Sequence, residues 1–176
     1  MIDLNATNEW QHRDLATGLV LPWYTKSFLD ELVTWDMKDK VVFEYGCGAS
    51  SLWWAAKCKK LYGVENNKVY FGTVMYHIGD VARICHEMKE ERYINSIRQW
   101  GIQFDIIVVD GGWRDESIPT VLEHLKPGGI IIYDNWMQAS VCCQTEEVQA
   151  TLLALPHGIF KQEGHPDWQT AYFIKP

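Results

Sequence analysis

The chain has 176 residues, 47% hydrophobic and 22% charged, the make-up of a soluble globular protein and enough length for one domain, 1–176, with a substantial core. A net charge of −7 with no basic run repels a phosphate backbone and disfavours a nucleic-acid partner. No apolar run reaches membrane-span length, Met1–Asp14 does not read as a signal peptide, and five cysteines without metal spacing read as reduced thiols, so a cytoplasmic protein is expected.

Residues 1–20 show no clear period and read as an arm or cap; with the helix that follows they make 1–40 an N-terminal arm and cap helix. That helix carries Phe28, Leu29, Leu32, Val33 and Trp35 behind Pro22-Trp23, and it ends in the polar segment Asp36–Lys40. Val41-Val-Phe-Glu44 is a strand ending in an acid. Gly46 then permits a tight turn, Gly48 permits close approach of a ligand to the backbone, and Ser50 and Ser51 open a helix. Tyr62-Gly-Val-Glu65 is a second strand, its acid 21 positions after Glu44.

Asn67–His77 reads as a helix stopped by Gly79, with Val81–His86 as the third strand. The other frame, a strand at Val74–Ile78, leaves too few residues for a crossover. Glu87–Trp100 is amphipathic, with Tyr93, Ile94, Ile97 and Trp100 on one stripe. Phe104–Val109 is unbroken, as burial on both faces requires, and it ends in Asp110. Ile118–Leu125 reads as a helix with Pro119 in its first turn and Pro127 at its end. Ile130–Tyr133 is the fifth strand, closed by Asp134-Asn135, and Thr145–Leu155 is a helix. Gly158–Gly164 and Gln169–Ile174, joined by His165–Trp168, are too close for a helical crossover and must pair antiparallel. The expected fold is α/β: a doubly wound, mostly parallel seven-stranded sheet with a C-terminal antiparallel hairpin.

Glu44-x-Gly-x-Gly-x-x-Ser, the strand-end Glu65, Phe-Asp-Ile-Ile-Val-Val-Asp110 and Leu125-Lys-Pro-Gly-Gly together cover roughly half the chain. In that order they resemble the class I S-adenosylmethionine (SAM)-dependent methyltransferases. The resemblance implies SAM as cofactor, with Glu65 on its ribose hydroxyls and the backbone at Gly46, Cys47 and Gly48 under its methionine part, Glu44 behind. It further implies Ser50 or Ser51 on the carboxylate, Asn66 and Gly111 beside the cofactor, and Asp110 at the ammonium group or the substrate as the candidate catalytic residue. The plainer readings are a solvated strand-end acid for Glu65 and a helix cap for Ser51.

Asp110 with Asp134 and Asn135 resembles the magnesium set of catechol-type O-methyltransferases; the plain alternative is an Asx turn, and Arg114 would compete with a metal. Asp110-Gly-Gly-Trp113 departs from the motif of the amino-directed nucleic-acid methyltransferases. A small or accessible acceptor, methylated on oxygen, is therefore expected, held by Trp23, Trp113 and Trp136. Of the general-base candidates His12, His86, His157 and His165, His86 at a strand end is the best placed. The rival readings are a non-catalytic SAM- or nucleotide-binding partner subunit and an NAD-dependent oxidoreductase. Ser51 at the third glycine position and the antiparallel ending count against the latter.

Overall fold

The computed structural model of the protein describes residues 13–14, 17–137 and 144–176. His12, Cys142 and Cys143, and most of the N-terminal arm, lie outside the described residues; Arg13 and Val20 form an isolated antiparallel bridge. The strands are β1 (Val41–Tyr45), β2 (Lys60–Glu65), β3 (Ala82–His86), β4 (Phe104–Val109), β5 (Leu125–Asp134), β6 (His157–Gln162) and β7 (His165–Ile174). They form one sheet in the order β3-β2-β1-β4-β5-β7-β6, parallel through β5 and antiparallel at β7 and β6. Chain order reverses between β1 and β4, where a crevice opens beyond the carboxyl ends of both strands.

The helices are α1 (Lys26–Leu32), α2 (Ala49–Lys57), α3 (Lys68–Ile78), α4 (Glu90–Asn95), α5 (Arg114–His124) and α6 (Glu146–Leu153). Because successive strand residues face opposite ways, the unbroken apolar strands feed two cores. Val42, Ile106, Val108 and Ile132 pack with Phe28, Trp54 and Val74 on the side of α1–α3. Phe43, Tyr45, Ile107, Val109 and Ile131 pack with Tyr93, Ile118, Val121 and Leu152 on the side of α4–α6. Among the described residues no helix is long and apolar enough to cross a membrane.

The third strand follows the frame that leaves room for α3, as the crossover argument requires. Four boundaries differ from the sequence reading. The Glu87–Trp100 stripe is split into α4 and a 3-10 turn at Ser96–Trp100, although Tyr93 and Ile97 are buried as the period demands. α5 starts at Arg114, which puts Pro119 in its second turn; the polar run Arg-Asp-Glu-Ser hid that start. The Lys126–Gly129 turn sits inside β5 as an irregularity, since Leu125 already pairs with Phe104 before Ile130 pairs with Ile106. The hairpin turns at Glu163-Gly164, where Gly164 has φ +76° and Gln162 pairs with His165. His165–Trp168 therefore belongs to β7, and because β7 runs antiparallel to β5, its beginning stands at the carboxyl end of β5.

α1 packs on the hairpin and not over the glycine turn. Phe28 meets Phe160 at a ring separation of 5.3 Å, and the Thr25 and Lys26 amides donate to Thr170 Oγ1 (3.1 Å) and Gln162 Oε1 (2.9 Å). That anchoring places Trp23, just ahead of the helix, at the crevice.

Candidate functional site

A cavity of about 970 Å³ fills the crevice at the strand-order reversal. One half is walled by Gly46, Cys47, Gly48, Ser50, Glu65, Asn66, Asn67 and Tyr70, from the ends of β1 and β2 and the helices after them. The other half is walled by Trp23, Asp134, Asn135, His165, Asp167 and Trp168; Asp110, Gly111 and Gly112 lie between the halves, at the end of β4.

The first half is rigid by construction. Gly46 has φ +84°, and a Cβ on it would lie 2.4 Å from the Gly111 Cα, so the loops after β1 and β4 touch backbone to backbone. Glu65 is buried at the end of β2. Its Oε2 accepts from the Cys47 amide at 2.8 Å and its Oε1 from the Asn67 amide at 2.5 Å, which fixes the carboxylate and leaves lone pairs on both oxygens. Burial raises its pKa, against the pull of those amides. Asn67, missed in the sequence, caps α3 by accepting from the Val69 and Tyr70 amides; an Asn directly before a helical period was the available signal.

Glu44, Ser50 and Ser51 face inward together. Glu44 is 0% exposed, and its two oxygens accept the hydroxyls of Ser50 and Ser51. Burial pushes its pKa up to about 7, against those same hydroxyls. Both serine hydroxyls are thus engaged within the protein, and Ser51 also accepts from the Gly48 amide (3.1 Å) as the helix cap of the plain reading. An anion at this wall is left the opening turn of α2, with its dipole.

The second half is organised by Arg114, only 8% exposed. Its guanidinium donates to the Gly111, Asp110 and Asp134 carbonyls, to Asp110 Oδ1 at 3.2 Å and to Asn135 Oδ1 at 3.0 Å, tying the end of β4 to the end of β5. The magnesium expectation is corrected here. The cation among Asp110, Asp134 and Asn135 is a guanidinium, and among the described residues no group of three His, Cys, Asp or Glu side chains is placed to hold a metal ion. Those residues do not fit a metal. The positive φ of Trp113 (49°), Asn135 (55°) and Met137 (60°) marks the same two loop starts.

Asp134 lies opposite Thr170 across the β5–β7 ladder and accepts the Thr170 hydroxyl at 2.6 Å, the Trp168 indole N–H and the Asn135 amide. Burial is the largest influence and pushes its pKa up to about 6.

Of the three tryptophans expected to hold an acceptor, only Trp23 lines the cavity. Trp136 is 1% exposed, between Tyr133 and Phe173, in the core, and Trp113 is half-buried, packed edge-on against Tyr93 at the margin of the core. The second aromatic of that half of the cavity is Trp168, edge-on to Trp23 with centroids 6.3 Å apart. His86 does not reach the cavity: its Nε2 pairs with the Asn66 carbonyl at 3.2 Å and its ring lies against Phe71. His165 lines the cavity in its place. The signal for His165–Trp168 was topological, since a closing antiparallel strand must begin at the carboxyl edge of the sheet.

No family model matches the sequence, and no curated protein does. Solved structures match the fold. The N-methyltransferase NodS of Bradyrhizobium japonicum superposes with a TM-score of 0.62 at 19% identity, over 85% of this chain and 93% of that one. Its complex with S-adenosylhomocysteine gives 0.58 at 18%, over 78% of each chain. The precorrin 8w decarboxylase of Methanobacterium thermoautotrophicum gives 0.58 at 16%, over 93% of this chain and 95% of that one. The chain has the Rossmann-like fold of the class I methyltransferases, seven-stranded with a closing antiparallel hairpin.

Proposed function

We propose that the protein is a SAM-dependent methyltransferase acting on a small acceptor. The observation that carries this reading is Glu65: a buried carboxylate at the end of β2, oriented by the Cys47, Asn66 and Asn67 amides and lining the cavity at the strand-order reversal. A bidentate acceptor there suits the two hydroxyls of a ribose. The Gly46–Gly48 backbone would lie under the methionine part, the opening amides of α2 at its carboxylate, and Asp110 at its ammonium group. Bound SAM supplies an activated methyl on a sulfonium. The protein's part is to hold donor and acceptor in line and to keep bulk water out.

The volume supports two occupants, since about 970 Å³ is at the upper end of ordinary ligand cavities. The oxygen-acceptor expectation loses the support of its metal, because Arg114 takes that position. The antiparallel ending speaks against the nicotinamide reading. A non-catalytic binding module predicts SAM affinity without turnover.

Calorimetry on the whole protein tests the proposal. S-adenosylhomocysteine and SAM should bind, NAD far more weakly, and Glu65→Ala should weaken S-adenosylhomocysteine by roughly 1.5–3 kcal/mol, the scale of lost charged hydrogen bonds. Tight NAD binding with no S-adenosylhomocysteine binding would overturn it.

A further inference from the structure

The cavity has a charge balance that the cofactor does not exhaust. Its described lining holds four carboxylates, Glu65, Asp110, Asp134 and Asp167, and no lysine or arginine. Glu65 is set for the ribose, and Asp110 pairs with Arg114. Asp134 differs from both. Its carboxylate is bonded by a hydroxyl, an indole and an amide, all neutral, while Arg114 gives its Nη1 to the Asp134 backbone carbonyl and not to the side chain. The nearby Arg114 charge favours its ionised form, but among the described residues no cation bonds to this carboxylate, which is 4% exposed and attracts a positive partner.

The aromatic walls stand beside that carboxylate. Trp168 reaches Asp134 through its own N–H, which holds its ring at the edge of the acid. Trp23 meets Trp168 edge-on and is 45% exposed, more than core packing explains. Two indoles and a buried carboxylate lining one space suit an organic cation, which both aromatic rings and negative charge attract. A neutral hydroxyl compound in that space would leave Asp134 with only the charge of Arg114, which bonds to its backbone carbonyl.

We propose that the half-cavity bounded by Trp23, Trp168, Asp134 and Asp167 binds a small amine as the methyl acceptor, with Asp134 receiving the proton the amine must shed. This rests on the methyltransferase reading, which supplies the sulfonium donor. The amine enters as its ammonium ion, attracted by Asp134 and Asp167. One N–H proton passes to the Asp134 carboxylate, freeing the nitrogen lone pair. That lone pair forms the N–C bond to the methyl group as the donor's C–S bond breaks, and the electron pair of that bond stays on sulfur as a neutral thioether. The product is the methylated ammonium ion, and Asp134 returns its proton to solvent. Burial of Asp134 makes it a stronger base than an exposed carboxylate, which favours this role.

The test uses the whole protein with SAM and matched acceptor pairs, an aryl-alkyl amine against the alcohol and the phenol of the same size, read by methyl-label transfer. The amine should be methylated with a kcat/KM at least about tenfold above its hydroxyl counterparts, a difference set by one charged contact. Asp134→Asn should lower kcat/KM roughly 10²–10⁴-fold, the range for a lost general base. Its S-adenosylhomocysteine affinity should stay within about threefold, which also reports that the variant is folded. Trp23→Ala should raise KM for the amine roughly threefold to thirtyfold with little change in kcat, as loss of a cation–aromatic contact predicts. Preferred methylation of the alcohol or phenol would overturn the amine, as would S-adenosylhomocysteine binding with no amine turned over. If S-adenosylhomocysteine itself fails to bind, the methyltransferase reading falls, and the amine proposal with it.

Discussion

The two halves of the cavity are built by different means. The half at β1 and β2 comes from consecutive strand–turn–helix units, and its defining contact, the Cys47 amide to Glu65, spans 18 positions. The half at β4, β5 and β7 joins Trp23, Asp110, Asp134 and Trp168, drawn from nearly the whole length of the chain. Two of the hydrogen bonds that close it are long in sequence: Thr25 to Thr170 spans 145 positions and Thr170 to Asp134 spans 36. One half is local geometry repeated across many folds of this type. The other is specific to how this chain closes its sheet, and on the proposed function it is the half that would select the acceptor.

The most damaging change should be at the joint of the second half. Arg114→Met removes all five donors of a nearly buried guanidinium and leaves Asp110 without its cation. Breaking this partly buried pair from one side, with its bonds to three carbonyls, should lower stability by about 2–4 kcal/mol, read from the urea midpoint. Arg114→Lys should not restore it, because an ammonium cannot reproduce the planar fork that ties two loops. A loss below about 1 kcal/mol would mean that the β4 and β5 ends hold together without the clamp.

The next change attacks the seam between the halves. Gly46→Ala places a Cβ 2.4 Å from the Gly111 Cα at a backbone φ of +84°. Overpacking against backbone and left-handed strain together should cost about 2–4 kcal/mol and abolish S-adenosylhomocysteine binding. Normal binding at normal stability would show that the two loops can separate freely, contrary to the contact described.

That contrast also explains what the sequence revealed. Gly46 and Glu65 were legible because a glycine turn and a strand-end acid are short-range patterns with a physical cause. The seven strands and the frame of β3 followed from apolar runs and crossover length. Trp113 and Trp136 misled because an aromatic just past a strand looks exposed, whereas the positive φ at Trp113 and Asn135 turns the chain back over the core. Trp168 was hidden, and His165 was ranked behind His86, because a two-residue turn was read as a four-residue link. Arg114 was visible only as a competitor to a metal, because sequence does not show that a cation will be buried with five acceptors around it.

The smallest effect separates two buried acids that resemble each other, Glu44 beneath the first half and Asp134 in the second. Both are raised by burial, to about 7 and about 6. Glu44 is sealed by Ser50 and Ser51 and does not line the cavity, whereas Asp134 does. The folded pKa of Glu44 lies above its ordinary 4.5, so between pH 4.5 and about 7 the folded protein keeps a proton that the unfolded chain has lost. The stability this proton confers is complete below pH 4.5 and is lost as pH rises through about 7, with a slope of at most about 1.4 kcal/mol per pH unit. Glu44→Gln should remove that slope between pH 6 and 7 in urea denaturation. The decline due to Asp134, which runs from its ordinary 3.8 to about 6, should remain. S-adenosylhomocysteine affinity at fixed pH should change by less than about tenfold, since the buried acid supports the loop without touching the cavity. An unchanged slope between pH 6 and 7 would assign the titration elsewhere. A collapse of affinity without a change in slope would make Glu44 part of the binding surface, erasing the distinction between a sealed acid and a working one.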